Sequence, residues 1–237
     1  MFVVLLMMLH PTQELEPPAN PARFSALRIG VHGIVAGGSL DRLLDRFRGL
    51  HAGVSLHIIE STARDAQIQV REDRLDVAFI ACTHEIPELH SRVIWRDRLM
   101  VAMPEAHPLA QCDRVTWKDL AAETFLVREG GTGPQVHDLI VLRAAGKWPV
   151  PAIMRFAVGR DSLLAMIAAG QDISLFVAEN LALVPPGIVF RKIEDEPEAI
   201  PFSVVWSPRN QSQTVRNLLG LAGRMGRDLG RSAVDTI

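Results

Sequence analysis

Three short apolar runs, separated by two amphipathic segments, place the strongest limit on how this chain can fold. The runs LRIGV, VSLHIIE and LDVAFI lie between Leu27 and Ile80 and are rich in Val, Ile and Leu, as is typical of strands buried on both faces. Strand, helix, strand, helix, strand with short connections indicates right-handed crossovers and an open α/β sheet. Ligands bind such sheets at the carboxyl ends of the strands, where helix N-termini present free N–H groups. A binding cleft is therefore the first functional expectation.

Both amphipathic segments carry signals for the start of a helix. The first has an apolar stripe at helical spacing, formed by Leu40, Leu43, Leu44, Phe47 and Leu50. Gly37 and Gly38 precede Ser39, a good N-cap residue, which predicts that this helix begins at Ser39 with Ser39 as its N-cap. Thr62, with Asp65 three residues later, predicts a capped start for the second helix.

A second α/β unit and a returning strand follow. Strands are predicted at 92–95, 98–103, 124–127, 152–156, 172–177, 188–190 and 202–206, and helices at 117–122, 136–144, 163–168 (with Gly170 at C′) and 215–225. Because the strand FSVVW returns after a complete unit, we expect two lobes, with the second inserted into the first. The predicted first lobe is residues 26–99 with 202–227, and the second is residues 101–201. Residues 1–25 contain four prolines between 11 and 21 and are expected to be an extended lead-in.

Composition excludes several classes of protein. A net charge of -2 and an isoelectric point near 6.4 give no electrostatic footprint for nucleic acid. Two cysteines do not form a disulfide framework, so a reduced cytoplasmic chain is the simpler interpretation, with a redox pair as the alternative. The apolar stretch at residues 1–9 lacks a basic region and is far shorter than the roughly 20 residues that span a bilayer. Neither secretion nor membrane association is predicted.

No motif for catalysis, metal binding or a cofactor occurs. The eight histidines lack metal-ligand spacings such as HExxH. There is no G-x-S-x-G elbow, no Walker A loop and no strict GxGxxG, and the run GIVAGGS lacks the spacing for a dinucleotide. We therefore predict no catalytic residues, no metal and no cofactor.

Several motifs in sequence order resemble a known family. LRIGV, FRGLHAGVSLHIIE, LDVAFI, LMVAMPEAHPLA, FLVREGGTG, DSLLAMIAAGQDISLFVAE and FSVVWSPRNQSQTVRNLL together resemble the effector-binding domain of LysR-type transcriptional regulators, over about residues 26–225. The resemblance implies a type 2 periplasmic-binding-protein fold, in which two Rossmann-like α/β lobes are hinged by two crossing strands. This chain departs from the family pattern at three positions: Ala52 stands where the family usually has proline, Asp73 where it usually has glycine, and Val177 where proline is common. The third departure alters the cleft wall.

The family carries an N-terminal winged helix-turn-helix on a long linker helix. Residues 1–26 are too short for that module, and their prolines oppose a linker helix. We therefore expect a sensor domain that contacts DNA only through a helix-turn-helix absent from this chain. The resemblance also implies a homodimer in which the first lobe of each chain pairs with the second lobe of the other, and the helix at 39–50 and the strand at 54–60 are the expected first-lobe surface.

The resemblance further implies that an effector binds at strand ends and turns facing the cleft. The candidate residues are His32, Gly33, Ile34, Val35, Ser61, Thr62, Cys82 and Thr83 from the first lobe, and Arg128, Gly131, Thr132, Ser174, Phe176 and Val177 from the second. Hydroxyls, backbone N–H groups and an arginine suit a small anionic metabolite. A sensor of such an effector is the leading hypothesis. A solute-binding protein of a transport system is the alternative, and an enzyme on the same scaffold is third.

Overall fold

The computed structural model describes residues 25–81, 86–146, 149–196 and 198–234. A five-stranded sheet contains the three apolar runs. Its spatial order is β2 (Val54–Glu60), β1 (Ser25–Val31), β3 (Val77–Ala81), β11 (Ile200–Trp206) and β4 (His90–Asp97). Strand β1 is parallel to β2 and β3, as expected from the crossovers, and β11 runs antiparallel to β3 and β4. The predicted lead-in lies outside the described residues.

Three helices cover this sheet: α1 (Ser39–Leu50), α2 (Ala63–Arg71) and α5 (Gln213–Val234). Four of the five predicted stripe residues of α1 are buried, and they pack with β1, β4, β11 and α5 in one apolar cluster. Leu50 is 59% exposed, so the prediction that it joins this stripe is wrong. It is the last residue of α1 and lies outside the cluster. The five-stranded sheet with α1, α2 and α5 is called the first lobe below.

The remaining strands form two smaller sheets. One has the order β6 (Arg114–Val115), β10 (Ile188–Ile193), β5 (Leu99–Pro104) and β9 (Ser174–Val177), and the other pairs β7 (Thr124–Arg128) with β8 (Ala152–Phe156). A bridge between Phe125 and Ile173 connects them. Helices α3 (Gly133–Ala144) and α4 (Arg160–Ala168) pack here, together with 3-10 segments at Pro108–Gln111 and Ala178–Leu183. These elements are called the second lobe.

The chain crosses between the sheets twice. Arg98 separates β4 from β5, and residues 194–199 separate β10 from β11. These crossings lie close to the predicted limits at 99–101 and 201–202, although the division of the chain into domains at those residues stays a prediction. None of the helices in the described ranges is long and apolar enough to cross a membrane.

Some local predictions were wrong. Residues 117–122 form turns and not a helix. Thr116 and Asp119 bond as at a helix start, with Asp119 Oδ2 accepting from Thr116 N at 2.8 Å and from Thr116 Oγ1 at 2.7 Å, but Ala121 N and Glu123 N then donate only three residues back. The predicted strand at 172–177 begins at Ser174. Gly170 follows α4 with φ of 88°, which confirms its predicted place after the helix.

Candidate functional site

A cleft of about 1110 Å³ lies between the two lobes. Apolar side chains from both lobes line it, among them Ile34, Val35, Leu139, Leu142, Leu175, Phe176, Val177 and Phe202. Its charged lining residues are Arg64, Arg128, Arg143 and Arg160, against Glu60, Asp138, Asp161, Glu179, Glu196 and Glu198. Four arginines facing six carboxylates leave this lining with a formal charge of two negative units. The cleft thus combines apolar walls with a slight excess of negative charge.

Most of the predicted site residues line this cleft. Those that do are His32, Gly33, Ile34, Val35, Thr62, Arg128, Thr132, Phe176 and Val177. Ser61, Gly131 and Ser174 do not belong to the lining, and Cys82 and Thr83 lie outside the described residues. The Ser174 hydroxyl is buried and donates to the Leu126 carbonyl at 2.6 Å, so it joins β9 to β7.

His32 lies directly after β1, and its ring is buried. Its Nδ1 is 3.0 Å from the carbonyl oxygen of Phe79, which can only accept, so Nδ1 carries the proton. Burial lowers the pKa of His32, and the nearby Arg128 lowers it further. The ring is therefore neutral at pH 7, and Nε2 is an acceptor that bonds no residue in the described part of the chain.

Arg128 connects the two lobes across the cleft. It ends β7, and its Nη1 donates to Glu60 Oε1 at the end of β2 at 3.1 Å, while Nη2 donates to Thr132 Oγ1 at 3.3 Å. The turn that follows Arg128 packs tightly around it, because a Cβ on Gly133 would lie 1.7 Å from the Arg128 carbonyl oxygen. The guanidinium group is thus held in place by both lobes.

Two further hydrogen bonds join the lobes at strand and helix ends. Gln135, in the first turn of α3, donates from Nε2 to the carbonyl of Ala81 at the end of β3, at 2.6 Å. Its Oε1 is buried and has no partner in the described residues. At the start of α1, Ser39 N donates to Glu179 Oε2 at 3.1 Å.

The two helix starts in the first lobe are capped differently. Thr62 is the N-cap of α2 and accepts from Asp65 N at 3.2 Å, as predicted. Helix α1 begins at Ser39, as predicted, but its N-cap is Gly38, which has no side chain with which to cap it. The Glu179 carboxylate from the second lobe takes that role.

Arg160 stands at the first position of α4 on the second-lobe side of the cleft. Its Nε donates to Asn180 Oδ1 at 2.6 Å and its Nη1 to Asp161 Oδ1 at 2.7 Å. Its Nη2 is buried without a hydrogen-bond partner among the described residues. A charged donor without an acceptor is costly, but this nitrogen is enclosed by the protein, so an acidic group on a ligand would reach it only if the Arg160 side chain moves.

Nearby charges have internal partners. Arg143 Nε donates to Glu196 Oε2 at 2.9 Å, and that carboxylate also accepts from Trp117 Nε1 at 2.9 Å. These contacts raise the pKa of Arg143 and leave the Glu196 side chain 5% exposed. Among the described residues, no group of His, Cys, Asp and Glu side chains could hold a metal ion.

Sequence reasoning missed Glu60, Gln135, Arg160, Glu179 and Asn180. Glu60 ends the predicted strand β2, so its place at a carboxyl strand end was the one available signal. Arg160 and Gln135 lie in the first turns of helices, and Glu179 and Asn180 lie in a 3-10 segment that was not predicted. Their contacts are between lobes or between distant segments.

Comparison with known proteins identifies the family of a chain with this architecture. The model of the LysR substrate binding domain matches residues 24–226. The chain belongs to this family. Among curated relatives, TtuA of Agrobacterium vitis is 25% identical over 167 residues, covering 70% of this chain and 55% of TtuA. ShiR of Corynebacterium glutamicum (strain R) is 24% identical over 181 residues, covering 76% of this chain and 61% of ShiR. Both are HTH-type transcriptional regulators, and the chain spans less than two thirds of either.

Solved LysR effector domains share the fold. The BenM effector binding domain with benzoate has a TM-score of 0.71 at 21% identity, covering 87% of this chain and 94% of that one. The QuiR effector binding domain in complex with shikimate has a TM-score of 0.72 at 14% identity, covering 86% and 98%. The expected type 2 periplasmic-binding-protein fold is thereby confirmed.

Proposed function

We propose that this chain is the effector-sensing part of a LysR-type transcriptional regulator and binds a small organic acid in the cleft. The observation that carries this proposal is the cleft itself, which is about 1110 Å³ and is lined by apolar side chains of both lobes with polar groups at strand ends. Ligand sites have this composition and a volume of roughly 300–1,000 Å³. Membership of the LysR substrate-binding family supports the same role.

The expected ligand has an apolar body and an acidic group. Phe176 and Phe202 from opposite sheets offer apolar contacts, and the unpaired Nη2 of Arg160 offers a charged donor. Benzoate and shikimate, which the related BenM and QuiR domains bind, are both carboxylates. A hydrogen bond to a charged group contributes about 1.5–3 kcal/mol, so this contact is a substantial part of an affinity in the micromolar to millimolar range, which corresponds to about 4–8 kcal/mol.

Binding would act through the angle between the lobes. Arg128–Glu60, Gln135–Ala81 and Glu179–Ser39 are polar contacts across the cleft. A ligand that bonds differently in open and closed arrangements shifts their populations, which is how a small molecule controls a hinged domain.

The wider role follows from the same proposal. We infer a cytoplasmic regulator that is not an enzyme, that pairs as a homodimer and that reaches DNA through a separate helix-turn-helix. Strand β2 is an edge strand of the first sheet, and the exposed Leu50 and Ile59 on α1 and β2 favour this surface for pairing. The net charge of -2 favours no DNA binding by the chain alone, because phosphate contacts need positive charge.

A thermal-shift screen tests the proposal. Aromatic and aliphatic monocarboxylates would be compared with their primary amides on the wild type, on Arg160→Ala and on Arg155→Ala. Arg155 is exposed on β8 outside the cleft lining and serves as the control for loss of charge. We expect carboxylates to raise the melting temperature, and Arg160→Ala to weaken that binding at least about tenfold. A panel without hits would count against the function, whereas hits unaffected by Arg160→Ala would count against this contact.

A further inference from the structure

The Glu179 carboxylate occupies the N-terminus of α1. Glu179 belongs to the 3-10 segment Ala178–Leu183 of the second lobe, and its Oε2 accepts from Ser39 N at 3.1 Å. A Cβ on Gly38 would lie 3.1 Å from the same oxygen, so the carboxylate packs directly on the backbone of the helix end. This contact joins residues 140 positions apart.

The segment that carries Glu179 is anchored at the first crossing between the lobes. Glu179 N donates to Asp97 Oδ2 at 2.8 Å, and Ala178 N donates to the Arg98 carbonyl at 2.9 Å. The two backbone contacts hold this segment beside β4, and Glu179 extends from it to α1. The carboxylate is thus positioned by the fold rather than by a flexible surface loop.

Glu179 lines the cleft, whereas Gly38 and Ser39 lie behind it. A helix N-terminus beside a cleft would ordinarily attract an acid group of a ligand, because its backbone N–H groups and partial positive charge favour anions. In this chain that position already holds an anion. Burial is the largest effect on the pKa of Glu179 and raises it. The hydrogen bond from Ser39 N lowers it, Asp97 from β4 raises it, and Arg42 from α1 and Arg160 from α4 lower it. Arg160 is the one of these residues that also carries an unpaired donor in the cleft lining.

The charged residues in the rest of the cleft also oppose an acidic group at the N-terminus of α1. Its lining carries six carboxylates and four arginines, and two of those arginines, Arg128 and Arg143, are engaged by Glu60 and Glu196. A ligand with one acidic group can place it on the second-lobe side at Arg160. A second acidic group directed at the N-terminus of α1 would meet Glu179 instead of free N–H groups, and like charges repel. Arg64 of α2, which has no partner among the described residues, is the cationic group of the first-lobe lining that stays open to it.

We infer that Glu179 is an internal anion that occupies the N-terminus of α1 and keeps the acidic groups of a ligand away from that helix end. The ligand half of this inference rests on the proposed function; the occupancy of the helix end does not.

The test is whether anions bind more tightly once the Glu179 carboxylate is removed from the helix end. Wild type, Glu179→Ala and Glu198→Ala would be titrated with inorganic phosphate, benzoate and phthalate, with the melting temperature as the readout. Glu198 is an exposed carboxylate of the same lining, so Glu198→Ala removes equal charge and leaves the helix end filled. We expect Glu179→Ala to bind phosphate and phthalate at least tenfold more tightly than the wild type, and Glu198→Ala to change either by less than threefold.

The outcomes separate this inference from the proposed function. A wild type that responds to no monocarboxylate weakens the proposed function, while the phosphate gain in Glu179→Ala still decides the occupancy of the helix end. Equal gains in Glu179→Ala and Glu198→Ala would overturn the inference. If Glu179→Ala does not fold, Glu179→Gln removes the charge at constant size, and we then expect a gain for phthalate of at least threefold. Absence of that gain would also overturn the inference.

Discussion

A single methyl group at Gly131 should disturb the closest approach between the lobes. Gly131 has a φ of 56°, and a Cβ there would lie 2.6 Å from the carbonyl oxygen of His32 on the opposite wall and 2.6 Å from Arg128 Nη2. The guanidinium can shift, but the His32 oxygen is backbone. Since a Cβ atom does not come within 3.0 Å of another heavy atom, Gly131 and the His32 carbonyl must separate by about 0.4 Å or more. Gly130, the preceding residue, has no atom within 4 Å of an added Cβ and no such φ, so Gly130→Ala is the matched control.

The expected cost of Gly131→Ala has two parts. A left-handed backbone costs an alanine about 1–2 kcal/mol relative to glycine. Overpacking against a fixed backbone atom adds about 1–3 kcal/mol if the walls hold their places. If the walls yield, the second part falls and the cleft opens instead. If the walls hold, we therefore expect a loss of about 2–5 kcal/mol relative to Gly130→Ala, or roughly 4–20 °C in melting temperature for a domain of this size.

Urea unfolding of the two variants measures this difference directly. Both should keep the wild-type dependence of unfolding free energy on urea, because the surface exposed on unfolding is unchanged. Small-angle scattering then separates closed, strained lobes from opened lobes. The packing argument would be refuted if the unfolding free energies of Gly131→Ala and Gly130→Ala agreed within about 0.3 kcal/mol, since the left-handed backbone alone costs more.

Further predictions concern stability and pH. Gly226→Ala would place a Cβ 2.1 Å from the Ile94 carbonyl oxygen, so α5 must leave β4, and we expect a loss of about 1–3 kcal/mol in urea unfolding. Gly220→Ala in the same helix meets only ordinary contacts and should gain up to about 1 kcal/mol; equal effects would contradict the geometry. Asp73 has a φ of 54°, so Asp73→Gly should raise the melting temperature by about 2–4 °C, and no rise would show that the aspartate is unstrained. Burial raises the pKa of Glu179, so its contribution to stability is present at low pH and is lost as pH rises above the usual 4.5 through the folded-state pKa. Glu179→Gln should therefore gain in unfolding free energy relative to wild type as pH rises, and a constant difference would contradict this.

Apolar periodicity predicted the first lobe well because burial decides which residues face inward. The buried stripe of α1 and the strands β1 to β3 all contribute to one apolar cluster or to the second cluster beside it. One failure occurred where a helix start is not continued by the chain. Thr116 and Asp119 bond as Thr62 and Asp65 do at the start of α2, yet the backbone hydrogen bonds from residues 121 and 123 run only three residues back and residues 117–122 form turns before β7.

Asp73 shows what a family resemblance can add to such reasoning. It stands where the family pattern has glycine, and its φ of 54° is a conformation that glycine adopts without cost. Periodicity alone gives no warning of this position, because the residue lies at a turn where side-chain burial carries no signal. The resemblance identified the departure, and the backbone explains why glycine suits the position.

The candidate site divides into residues that follow from local pattern and residues that do not. Strand ends and helix starts were predictable, since the crossovers of a parallel sheet bring them to one edge, and so Thr62 and Ser39 were correctly placed as helix starts. Whether both helix starts are open to an anionic ligand depends on tertiary contacts, which a local sequence pattern does not show. Thr62 bonds Asp65 three residues away, but Ser39 bonds Glu179 across 140 residues. A helix end therefore indicates where a negative charge belongs, and only the tertiary structure tells whether the protein or the ligand supplies it.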